Sequence, residues 1–160
     1  MQFYLLLSVR LLHFTGMALW IGSSMSMPGD VKRSFADGVP TARDLELLGA
    51  RGRLAGRVAT VGGVLTILTG VAMIFILGGF GKVSPAIHAS LVLAVLLAVL
   101  GGALIGGTWN KILDELGPRG DGATREQIEP LLKRFRIYSM VFKTGWLVIL
   151  FLMVFRTLFT

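Results

Sequence analysis

Residues 83–110 read VSPAIHASLVLAVLLAVLGGALIGGTWN, a run without a single Asp, Glu, Lys or Arg. A hydrocarbon core of about 30 Å takes roughly 20 residues of helix at ~1.5 Å per residue, so this run crosses a bilayer with length left to tilt or to pass the interface. Helix is expected rather than strand, because the apolar residues are continuous and lack the alternation of a membrane barrel. Outward from this run, cutting the chain at its charges leaves three more of spanning length: residues 11–29, 58–81 and 137–155, the last interrupted only by Lys143. The expected fold is one all-α integral membrane domain over residues 1–160, an antiparallel bundle of four transmembrane helices.

Composition agrees. Hydrophobic residues make up 54% of the chain and charged residues 16%, and mean hydropathy is +0.74, well above the globular range. The charges gather between the apolar runs instead of lining helix faces, which separates this chain from a soluble bundle. The chain turns apolar from Phe3 with no basic residue ahead of it, and no small-residue cleavage site precedes a soluble domain, so the first segment is expected to be a retained helix.

Charge also predicts orientation. The segment between the first two runs carries Lys32, Arg33, Arg43, Arg51, Arg53 and Arg57, and residues 111–136 are similarly basic, whereas the link between the second and third runs has only Lys82. Positive charge stays on the cytoplasmic side, so both basic segments are expected there, with the termini outside a bacterial inner membrane. Topology and anionic lipid then account for the net charge of +7, and nucleic acid is not required as a partner.

Each basic segment is expected to hold a short interfacial helix. Thr41 and Asp44 have capping-box spacing ahead of Leu45, Leu47 and Leu48, and Thr124 with Gln127 repeats that spacing ahead of Leu131 and Leu132. Residues 117–122 read as a turn, and the Arg119-Gly120-Asp121 tripeptide inside it is taken as part of that turn. Within the spans, small residues mark close helix approach: Gly102 and Gly106 on one face of the third, and Gly62, Gly63, Thr66, Thr69 and Gly70 along the second.

No cysteine is present, which excludes disulfides, thiolate metal sites and covalent haem attachment of the Cys-x-x-Cys-His kind. The chemistry-bearing residues are His13 and His88, both inside spans, where ionisable side chains are rare and usually functional. An interhelical hydrogen bond is the structural alternative. His13 lies three residues inward of Arg10 and His88 six inward of Lys82, depths of about 5 and 9 Å at helical rise, within one turn of each other. Two neutral imidazoles at matched depth suit the axial positions of one non-covalent b-type haem, a metal site of His13 and His88. Arg10 and Lys82 would then meet the haem propionates, with snorkelling to lipid phosphate as the alternative.

His13, Gly16, Trp20, Ser23 or Ser24, and Met27 share one face of the first helix; Gly16 would leave room for a flat macrocycle and Trp20 would pack below it. Met25 and Met27 offer thioethers for copper, although packing is the simpler account of them. Lys143 lies about 10 Å inside the basic end of the fourth helix, as a snorkelling lysine or a proton or quinone partner.

The stretch RLLHFTGMALWIGSSMSMP, with Arg10, His13, Trp20 and Pro28 at their spacings, resembles the first helix of the HemJ-type protoporphyrinogen oxidases and the related copper-resistance protein D membrane families. RVATVGGVLTILTG is similar to their second helix, and His88 matches their second histidine. The resemblance implies four membrane helices, a b-type haem on His13, and a homodimer. It departs at two places: Ser90 stands where the oxidases have a lysine, and RIYSMVF keeps Arg136 but lacks their Asn-Glu-Pro element. The expected function is a haem-dependent membrane oxidoreductase or electron-transfer protein, acting on porphyrinogen or quinone or passing electrons to a membrane or soluble redox partner. Copper handling and a non-catalytic structural subunit are the alternatives.

Overall fold

The computed structural model describes residues 2–34, 41–116 and 125–155. The turn expected at residues 117–122 and the Thr124 cap lie outside them. Helix α1 covers Gln2–Ser34 and α2 covers Ala42–Ile76; a single 3-10 turn, Phe80–Lys82, leads to α3, Pro85–Leu100. The third span continues through a π-helical segment, Gly101–Gly106, into α4, Gly107–Leu116, and α5 is Arg125–Val154. Four helical spans are long and apolar enough to cross a membrane, so the chain is a multi-pass, all-α membrane protein.

The helices outrun the apolar runs. The segment expected as a separate interfacial helix after Thr41 is the first part of α2, which at 35 residues is about 52 Å long and overshoots the hydrocarbon core. The reason is local: residues 43–57 contain no proline, Thr41 closes its capping box with Asp44, and arginines are good helix formers. Similarly, Leu131 and Leu132 belong to the first turns of α5, which runs 30 residues without a break.

Glycine ends α2 where charge does not. Gly78 and Gly79 have φ of 102° and 93°, a region open to glycine, and their amides close the helix end onto Phe75 and Ile74 carbonyls at 3.1 and 2.9 Å. The second span therefore stops at Ile76 and the third starts at Pro85, which occupies the first helical position with Ser84 as N-cap.

Helix α1 packs most extensively on α2, α3 on α5, and contacts of α1 with α5 and α2 with α3 close the ring, placing α1 and α3 across the bundle from each other. The α1–α2 seam is backbone on backbone. A Cβ on Gly62 would stand 2.6 Å from the Trp20 amide nitrogen, and one on Gly16 would stand 2.8 Å from Thr66 Oγ1. Two buried clusters fill the bundle, one around Trp20, Phe142 and Trp146 and one at the basic end around Leu48, Trp109, Ile112 and Phe135. The outward faces carry exposed Leu11, Phe14, Val61, Leu68, Val92, Val99 and Leu147, the lipid-facing surface such a bundle requires.

Candidate metal site at His13

His13 sits on the face of α1 turned toward α2 and is buried. Its Nδ1 lies 2.9 Å from the Thr66 carbonyl oxygen and 3.0 Å from Thr69 Oγ1. A carbonyl can only accept, so Nδ1 carries the proton and donates it. The Thr69 hydroxyl donates to the Leu65 carbonyl at 2.6 Å, which leaves its oxygen free to accept from the imidazole. Nε2 is therefore the lone-pair nitrogen, and it is buried without a hydrogen-bond partner. A histidine locked through Nδ1–H to a backbone carbonyl, with Nε2 open, is the usual arrangement of a metal-ligating imidazole.

Gly70 makes that orientation accessible, since a Cβ there would stand 3.3 Å from His13 Cε1. In front of the imidazole is a cavity of about 40 Å³, walled by Met17, Ile67, Ile87, Leu91, Trp146 and Met153 among others. This volume holds a metal ion or a water and is far below that of a porphyrin.

His88 also holds its Nδ1–H on a backbone carbonyl, Ser84, at 3.1 Å, and it leans on the Phe80 ring with centroids 5.8 Å apart. Its own Nε2 is thus the lone-pair nitrogen too, but the ring is half-buried and outside the His13 cavity. Ile87 lines that cavity and His88 is one position further round α3, about 100° at 3.6 residues per turn.

The other expected site residues spread apart. Arg10 and Lys82 are exposed near the ends of their spans. The room that Gly16 leaves is taken by α2, not kept for a macrocycle, because Thr66 and the Gly62 carbonyl fill it. Trp20 lies over Gly63 and meets Trp146 edge to face at 4.8 Å, so it is Trp146 that borders the His13 cavity. Met25 is exposed and Met27 lies elsewhere in the bundle, whereas Met17 and Met153 line the cavity. Lys143 is half-buried on α5.

Thr69 and Thr66 were legible as a polar stripe but not as partners of His13. Met17, Met153 and Trp146 gave no signal, being apolar residues in apolar spans. Among the described residues, no group of three or more His, Cys, Asp or Glu side chains stands close enough to hold a metal. Compared with protein-family models, curated proteins and solved structures, the chain matches none.

Proposed function

We propose that this is a redox protein of the bacterial inner membrane that binds a b-type haem through His13, with basic segments facing the cytoplasm and the termini outside. The observation that carries the reading is the His13 imidazole: Nδ1–H is held by Thr66 and Thr69, and Nε2 is an unpaired lone pair in an apolar cavity. His88, in the same tautomer, would supply the second imidazole. Two neutral imidazoles suit haem iron, whereas the space of about 40 Å³ beside His13 is too small for the macrocycle as the helices stand. When bound, the haem supplies one-electron chemistry whose potential is set by axial ligation and low-dielectric burial. The protein's part is to hold Nε2 aprotic and oriented and to keep water out.

A second reading is favoured by one specific feature. Met17 and Met153 line the cavity with His13, and one imidazole with two thioethers suits a single Cu(I) ion, which a space of about 40 Å³ holds without helix movement. Composition of the detergent-purified protein separates the two. Haem extracted at about one per one or two chains supports the first reading; copper without haem, lost in Met153→Leu, supports the second. A preparation with neither would sink both.

A further inference from the structure

A second space, larger than the His13 cavity, lies away from that histidine. A crevice of about 400 Å³ opens between α2 and the third span, nearer the basic end. The glycine stripe of that span, read from spacing as a packing surface, forms part of its wall: a Cβ on Gly102 would meet nothing within 4 Å, and the same holds for Gly56 across from it. Glycine weakens a helix, and at these two positions no neighbouring helix fills the space in return. The π-helical segment falls at the same place, a distortion found often at functional sites.

A separate observation points to a ligand. Trp109 borders the crevice and is 4% exposed, yet its Nε1–H has no acceptor. The Nε1 edge of the indole lies over crevice residue Gly52, where a Cβ would stand 2.5 Å from Nε1. A buried indole N–H ordinarily finds an oxygen. Arg53 and Asn110 stand exposed at the rim, and no Asp or Glu lines the crevice, so it offers donors to an acceptor group. Trp20, Trp109 and Phe142 are among its walls with glycine backbone between them, an aromatic lining suited to a conjugated ring.

We infer that this crevice binds a lipid-soluble quinone, its ring between the glycine walls and one ring carbonyl accepting from Trp109 Nε1–H, with Asn110 and Arg53 at the mouth. Ile67 lines both spaces, and Trp20 of the crevice meets Trp146 of the His13 cavity at 4.8 Å, so the two are neighbours along the bundle. As an electron partner the quinone rests on the His13 reading; as a bound ligand it does not.

The test titrates ubiquinone-1 into the detergent-purified full chain and follows quenching of tryptophan fluorescence. The expected result is saturable quenching that weakens at least tenfold in Gly56→Leu and in Gly102→Leu. Both leucines occupy open space, so circular dichroism should remain native. Non-saturable quenching, unchanged affinity in both leucine variants, or complete displacement of the quinone by phosphatidylglycerol would overturn the proposal, the last marking a phospholipid site. Haem and copper are assayed in the same preparation. Saturable binding in metal-free protein sustains the crevice while the His13 reading fails, and metal-loaded protein without saturable binding does the reverse.

Discussion

Thr69 is two hydrogen bonds from looking unremarkable. Its hydroxyl donates within α2 to Leu65 and accepts from His13, so it helps decide which imidazole nitrogen is free. In Thr69→Val the Thr66 carbonyl still holds Nδ1–H, and the expected effect is a loss of metal affinity of about tenfold, the lower end for an outer-sphere partner, read by competition with a chelator or apo-globin. Unchanged affinity would remove Thr69 from the site. The histidines were legible because an ionisable group in an apolar run stands out against its background. Met17, Met153 and Gly70 were not, because one more apolar or small residue in a span has no contrast, and only the helix packing brings them to His13. Met25 and Met27 show the converse, a conspicuous local motif out of reach of the cavity: Met25 is exposed, and Met27, on the face of His13, lies about 21 Å further along α1.

Among the elements, α1 and α2 make the least forgiving seam. Gly62→Ala places a methyl 2.6 Å from the Trp20 backbone and 2.8 Å from the Gly16 carbonyl, and should cost about 1–3 kcal/mol as overpacking, whereas Gly22→Ala meets nothing within 4 Å and should be neutral or stabilising. Thermal unfolding in detergent compares the two; equal midpoints would contradict the seam. At the start of α2, Thr41→Ala removes the hydroxyl that accepts from the Asp44 amide, with an expected loss of about 1 kcal/mol and faster amide exchange confined to the first turn. Protection unchanged there would mean the cap is dispensable. Charge segregation made all four spans readable, but charges mark the edge of the bilayer and not the end of a helix. Thus α2 and α5 continue past the expected boundaries, and it is the paired positive-φ glycines 78 and 79 that stop α2. Small-residue spacing likewise predicted a shared face in the third span and nothing of what lies opposite: Gly62 meets a helix, whereas Gly102 meets a void.

For the whole molecule, the four spans among the described residues and the two basic segments predict an even crossing number with both ends on one side. Lys82→Cys should react with a membrane-impermeant maleimide on intact cells, while Arg53→Cys reacts only after permeabilisation; the opposite pattern would invert the topology and move the His13 site to the inner leaflet. The bundle divides along its length into a closed, histidine-bearing half near the termini and an open, glycine-walled half near the basic end, joined through the aromatic cluster of Trp20, Phe142 and Trp146. On the reading proposed above, metal chemistry belongs to the first half and quinone exchange to the second. The decisive measurement is the reduced-minus-oxidised absorption spectrum of purified wild-type protein beside His13→Ala and His88→Ala. Sharp b-type bands in the wild type, absent in the His13 variant and lost or converted to a high-spin form in the His88 variant, are the expected result. A folded wild-type protein without haem bands, or bands that survive His13→Ala unchanged, would contradict it.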